Sequence, residues 1–166
     1  MAQQNHVRRR RVRFGQPGEV AEEAGRLLKN GYERAGQWSL AQVCEHLSQT
    51  VEASIDSVNG FGGFLLPVWQ RFAAKPVLHL MLVTHWIPAG VKLPAGALPT
   101  CGDDAEAVGR LKRAMETFEG HYGPWAKHPF FGRMSGKTWK RYHLIHSAHH
   151  LGFLVPGGST EDIGRA

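Results

Sequence analysis

Four histidines lie close together near the C-terminus, in the stretch HLIHSAHHLGFL: His143, His146, His149 and His150. At about 100° per residue, His146 and His150 share one face of a helix, one turn apart. The same stripe also carries three large apolar side chains, namely Trp139, Phe153 and Leu154. This face is therefore expected to point into a protein core, together with its two imidazoles.

Two imidazoles at positions i and i+4 can bind one ion, because their Cβ atoms lie about 5–6 Å apart. A catalytic metal usually has three protein ligands and one open position. His46, at the edge of the apolar stripe of an earlier predicted helix, offers the third ligand. We therefore predict a metal site at His46, His146 and His150. The residues alone leave a second interpretation open, in which these are core histidines with hydrogen-bond partners.

The other histidines are weaker candidates. His143 lies one turn before the pair and is expected at the mouth of a pocket, whereas His149 lies off the shared face and would pack or support a ligand. Four more are interpreted as ordinary polar residues of loops or a crossover: His79, His85, His121 and His128. No catalytic acid or base is assigned, because helix carboxylates such as Glu45 and Glu52 are usually solvated.

Four amphipathic helices are predicted to position the histidines. The first spans about residues 18 to 33, and the others follow Ser39, Asp103 or Asp104, and Ser135, which are good N-cap residues. The fold class is therefore all-α, a four-helix bundle with a long crossover between the second and third bundle helices. The crossover is divided by prolines and glycines, and its apolar part, KPVLHLMLV, allows either helix or a buried strand.

The chain of 166 residues is expected to contain one domain. Residues 1–14 form a basic, flexible N-terminal arm, residues 15–156 the bundle, and residues 157–166 a C-terminal tail. The arm holds five of the 20 basic residues and is expected to be solvated rather than to bind nucleic acid. Because two distant cysteines do not form a disulfide framework and no run of 18 apolar residues occurs, we expect a cytoplasmic protein without a membrane segment.

Three segments, in order, resemble the DinB-like (DinB/YfiT) metalloprotein superfamily, in a branch catalogued as a domain of unknown function. They are GQWSLAQVCEHLSQTVEASIDS, HPFFGRMSGKTW and HLIHSAHHLGFL, and the resemblance runs from about Arg10 to Leu154. It implies a four-helix bundle with a long crossover, in which a histidine of the second helix and an H-x-x-x-H pair of the last helix bind a divalent metal. On this sequence the implied ligands are His46, His146 and His150.

The resemblance also implies chemistry, because characterised relatives include metal-dependent transferases that use low-molecular-weight thiols and a thiol-dependent isomerase. It favours a metal-dependent enzyme of the thiol transferase, isomerase or hydrolase type, with a small-molecule substrate and a low-molecular-weight thiol as cosubstrate. Zinc or nickel suits three imidazoles best, with iron or manganese as alternatives. A homodimer is compatible with this reading. The alternative function is a non-catalytic, metal-stabilised bundle that acts as a stress-related or partner-binding module.

Overall fold

The computed structural model describes residues 7–56, 68–87 and 102–157. For residues 68–73 it describes the backbone only. The elements in chain order are α1 (Pro17–Asn30), β1 (Tyr32–Arg34), α2 (Leu40–Ile55), α3 (Val68–Thr84), α4 (Asp104–Glu119), β2 (Lys127–His128), β3 (Gly132–Arg133), α5 (Gly136–Leu151) and β4 (Leu154–Pro156). The described chain is mostly helical, with two small antiparallel sheets, which agrees with the all-α class in outline.

The hydrophobic core lies between α1, α2, α4 and α5, which pack against one another. Its largest fully buried side chains include Leu27, Leu47, Leu111, Met115, Trp139 and Leu151. The helix α3 contacts α5 and leaves apolar side chains such as Leu80 and Val83 exposed. None of the described helices combines the length and the apolar character needed to cross a membrane.

The first turn of α2 is held by side chains from two other parts of the chain. The predicted N-cap, Ser39, is confirmed, and it forms a reciprocal capping box with the third helical residue. The Leu40 N–H donates to the Tyr32 hydroxyl (2.9 Å), and the Ala41 N–H donates to Asp104 Oδ1 (2.7 Å). Because N–H groups of a first turn lack partners within the helix, these bonds hold α2 against β1 and α4. They thereby position the histidine of α2.

The last helix is shorter than the sequence pattern predicts. It begins after the expected N-cap, Ser135, but ends at Leu151, and Gly152 follows as its C-cap. The next residues form β4, which pairs with β1 so that Leu154 lies opposite Arg34. The prediction that Phe153 and Leu154 continue the helical stripe is therefore wrong. The pairing joins residues 120 positions apart (154 minus 34), so helical periodicity carries no signal of it.

Two other segments differ from the sequence-based expectation. The apolar crossover segment is one helix, α3, which contains Pro76, so the buried-strand alternative is wrong. The first helix ends at Asn30 rather than near residue 33, because Gly31 has a φ of 77° and the chain then enters β1. The predicted loops around residues 57–67 and 88–101, residues 1–6 of the arm and residues 158–166 of the tail lie outside the described residues.

The N-terminal segment, residues 7–14, contains no helix or strand, yet Arg10 attaches it to the end of α5. Its backbone N–H donates to the Gly152 carbonyl (2.9 Å), and its Nε donates to the Leu154 carbonyl (2.7 Å). Its guanidinium also pairs with the carboxylate of Glu23, which is only 9% exposed. Arg10 is therefore not solvated as the sequence led us to expect for the arm, because its N–H groups bind a buried carboxylate and two carbonyl groups.

Gly152 is expected to be required for this attachment. A Cβ at that position would lie 2.8 Å from the Arg10 carbonyl oxygen and 2.9 Å from that of Ala148, which are both backbone atoms. We expect Gly152→Ala to lower the free energy of unfolding by about 1–3 kcal/mol, measured by urea denaturation. The matched control is Gly25→Ala in α1, where a Cβ meets nothing within 4 Å and alanine favours the helix. Equal stability of the two variants would contradict the close contact.

Candidate metal centre

Three imidazoles converge between α2 and α5. The Nε2 atom of His146 lies 3.2 Å from Nε2 of His46 and 3.1 Å from Nε2 of His150. The three ligand atoms all lie within 4.8 Å of one another. The structure therefore brings together the three histidines that the sequence singled out, although their numbers differ by up to 104 (150 minus 46).

Neighbouring aromatic rings hold the imidazoles in these orientations. The Trp38 ring stacks on His150, with centroids 5.2 Å apart and planes 5° apart, and meets His46 edge-on at the same distance. The Tyr142 ring lies 5.4 Å from His146. His46 and His146 are only 9% and 8% exposed, whereas His150 is partly exposed. The group is therefore accessible to solvent at His150.

The donor set fits a metal ion better than a hydrogen-bonded cluster. Nε2 of His146 faces two other nitrogens, and a neutral imidazole nitrogen carries either one proton or one lone pair, so it makes a full hydrogen bond with only one of them. Two nitrogens bound to one tetrahedral zinc at about 2.0–2.1 Å are about 3.3–3.4 Å apart, close to the two spacings measured from His146. Within the described part of the chain, His146 Nδ1 is buried and lacks a hydrogen-bond partner. An ion bound at Nε2 would not compensate this nitrogen, which would then carry the ring proton.

Burial keeps the three imidazoles neutral at pH 7. It lowers the pKa of His46 from 6.5 to about 4 and that of His150 to about 2, where His46 and His149 add repulsion. Burial also holds the pKa of His146 well below 6.5, and the surrounding histidines lower it further. Because a metal binds the neutral form of imidazole, the site does not need to release protons from histidine at neutral pH.

The neighbouring His149 lies beside the group rather than in it. It is 8% exposed, its ring meets His150 edge-on with centroids 4.9 Å apart, and its Nδ1 lies 3.3 Å from Nη2 of Arg9. The Arg9 guanidinium lies 4.6 Å above the ring of Phe153. His149 therefore links the group to the N-terminal segment, in keeping with the expected packing or supporting role.

Two histidines lie elsewhere than expected. His143 is 3% exposed, stacks on Trp139 and has its Nε2 3.0 Å from the Ser54 hydroxyl, so it belongs to the core and not to a pocket mouth. His128 is 6% exposed, and its Nδ1 accepts the N–H groups of Phe130 and Phe131. It is not an ordinary polar loop residue, because the β2–β3 hairpin folds its aromatic residues over α5 and covers it.

The carboxylates considered as acid or base candidates form ion pairs instead. Glu45 and Glu52 both bind Arg110 of α4, at 2.5 Å and 2.6 Å. These bonds raise the pKa of the Arg110 guanidinium above its usual range, with the Glu52 hydrogen bond as the largest cause. The two glutamates therefore join α2 to α4 and are not members of the histidine group.

Sequence reasoning missed two residues beside the group, Trp38 and Arg9. Trp38 lies in the WSL segment, directly before the N-cap of α2, but that segment supported only a family resemblance. Arg9 lies in a run of arginines, which is typical of a solvated arm. Its contact with His149, 140 positions away, has no local sequence signal.

The buried neutral histidines of the core should make the protein sensitive to acid. Burial lowers the pKa of His128 and of His143 to about 3, whereas both groups titrate near 6.5 when unfolded. Below pH 6.5 these two histidines bind protons in the unfolded state but stay neutral in the folded state. The free energy of unfolding that they contribute is therefore complete above pH 6.5 and is lost as the pH falls toward 3.

We expect the unfolding free energy of metal-free protein to fall by up to about 1.4 kcal/mol per pH unit for each such histidine. Urea denaturation at pH 7.5 and 5.5 measures this slope, and His143→Gln should make it shallower. A free energy of unfolding that is the same at both pH values would contradict this assignment.

Comparison with known proteins identifies one family. The family described as "Protein of unknown function (DUF1569)" matches residues 6–157, a range that includes all three converging histidines. No curated protein and no solved structure matches the chain significantly. Because the match covers nearly the whole sequence, the protein belongs to the DUF1569 family.

Proposed function

We propose that the protein binds a divalent metal ion through Nε2 of His46, His146 and His150 and that the bound ion serves an enzymatic reaction. The observation that supports this proposal is the convergence of three uncharged imidazole nitrogens in a largely buried place. Facing nitrogens that cannot all be hydrogen-bonded destabilise a protein interior, and a cation bound by all three removes this penalty.

We propose also that the family is a branch of the DinB-like superfamily, with a four-helix bundle formed by α1, α2, α4 and α5. Two features support this proposal. One histidine lies on the second of these helices and the H-x-x-x-H pair lies on the last. The long connection between α2 and α4, which contains α3, corresponds to the expected crossover.

Zinc or nickel is the proposed ion, with iron or manganese as alternatives, because imidazole suits these metals. Three neutral ligands leave the ion its full charge, so that when bound it supplies Lewis acidity toward a thiol, a water or a carbonyl group. The residues of the chain contribute position and shielding. Trp38 covers one side of His150 and His46, and the partly exposed edge of His150 gives access from solvent.

Among the three reaction types, thiol transfer fits the surroundings best. In the part of the chain that the structure describes, the histidine group contains no carboxylate, and the nearby candidates Glu45 and Glu52 are bound to Arg110. Hydrolysis usually needs a positioned general base. A bound cation would acidify water as well as a thiol, but a thiol is the stronger acid at the start, so it would release its proton to solvent and become a nucleophilic thiolate without such help. We therefore propose a low-molecular-weight thiol as cosubstrate and a small electrophilic molecule as substrate.

Removal of one ligand should weaken metal binding strongly. We expect His46→Ala and His150→Ala each to lower the zinc affinity at least ~100-fold, because two imidazoles remain. Competition with a chromophoric chelator measures the dissociation constant, and elemental analysis measures the metal content of the purified protein. His79→Ala is the matched control, since His79 is exposed on α3. Undiminished zinc binding in both ligand variants would rule out the three-histidine site.

The enzymatic part of the proposal has a separate test. Zinc- or nickel-loaded protein is incubated with low-molecular-weight thiols and small electrophiles, and thioether formation is followed by mass spectrometry. We expect turnover that is lost in His46→Ala and in chelator-treated protein. If the metal instead raises the melting temperature without turnover of any thiol or hydrolysable substrate, the non-catalytic module is the correct alternative.

A further inference from the structure

We propose that the metal centre binds a ligand with an oxyanion group, a carboxylate or a phosphate, and that Arg9 recognises this group. The inference rests on the proposed metal site and adds the class of ligand. It comes from the position of one guanidinium beside the three histidines.

Arg9 is exposed, but two contacts orient its guanidinium. The next residue, Arg10, fixes the backbone through its bond to the Gly152 carbonyl. The Arg9 side chain then lies 4.6 Å above the Phe153 ring, and its Nη2 donates to Nδ1 of His149 at 3.3 Å. A guanidinium that is already oriented loses little conformational entropy when it binds a ligand.

Most of the donors of Arg9 are available for a ligand. A guanidinium has five N–H groups, and the described contacts of Arg9 use one of them, for His149. The other arginines of the fold that pair with acids show the contrast, because Arg10 and Arg26 bind Glu23 and Arg110 binds Glu45 and Glu52. No ion pair with a carboxylate joins Arg9 to any other described residue.

The charges around the site favour an anion. Arg9 contacts His149, and the ring of His149 contacts the proposed ligand His150. A divalent ion held by neutral imidazoles keeps its charge, so ion and guanidinium repel each other. An oxyanion bound beside both removes this repulsion, and carboxylate and phosphate match the planar donor pair of a guanidinium. Burial lowers the pKa of Arg9, which indicates that this cation is partly desolvated.

Two aromatic side chains define where the rest of the ligand lies. Trp38 stacks on His150, and Phe153 meets His149 edge-on with centroids 5.5 Å apart. Both rings are partly exposed. They offer the uncovered part of their apolar surface next to His150 and His149, respectively. The ligand is therefore a small molecule with an oxyanion at one end and carbon groups that contact Trp38 or Phe153.

The test uses the full-length protein loaded with cobalt(II), which broadens the NMR signals of small molecules bound near it. The probes are propionate and phosphate, with propionamide as the neutral analogue of the same size. We expect both anions to be broadened in a saturable way and propionamide not to be. Arg9→Gln should raise the dissociation constant of both anions ~10-fold or more, as expected for a lost hydrogen bond between charged groups. Arg9→Lys should have an intermediate effect.

The matched control is Arg11→Gln, which removes the same charge from another exposed arginine two residues away. Equal dissociation constants in Arg9→Gln and Arg11→Gln, or equal binding of propionate and propionamide by the unchanged protein, would overturn the inference. Cobalt uptake is measured first in every variant. If cobalt uptake is normal and one of these two results is found, the role of Arg9 is refuted but the metal site is not. If the unchanged protein does not bind cobalt, the metal site and the role of Arg9 are both refuted.

Discussion

The arrangement depends on one constraint, namely that three imidazole nitrogens face one another between two helices of the core. Each must be uncharged, because burial disfavours the protonated ring, and each must find a partner for its lone pair. With Nε2 of His146 within 3.2 Å of both neighbours, protons can satisfy only part of the group. A cation bound by all three nitrogens would give each lone pair a partner, which is the reason for proposing a metal site here.

Much of the remaining structure holds α2 and α5 at the distance that this group requires. The bonds from Tyr32 and Asp104 fix the start of α2, and the Arg110 ion pairs fix its outer face against α4. At the other end of the site, β4 pairs with β1 and Arg10 binds the end of α5. The elements that hold the site come from most of the described chain, and the family match covers nearly the same range, residues 6–157.

Local patterns in the sequence predicted the parts of the site that depend on a single helix. The caps Ser39, Asp103 and Ser135 and the spacing of His146 and His150 follow from helix geometry alone. Contacts between distant segments were not predictable in this way. The β1–β4 pair, the burial of His143 and the position of Arg9 beside His149 depend on how separate elements meet. Short motifs describe neighbours along the chain, and these contacts join residues that are far apart in it.

X-ray absorption spectroscopy of the zinc-loaded protein can show whether three imidazoles bind one divalent ion. We expect nitrogen scatterers at about 2.0–2.1 Å from the zinc and the multiple-scattering pattern of three imidazole rings. A shell dominated by sulfur at about 2.3 Å, or one of oxygen atoms without imidazole scattering, would contradict it.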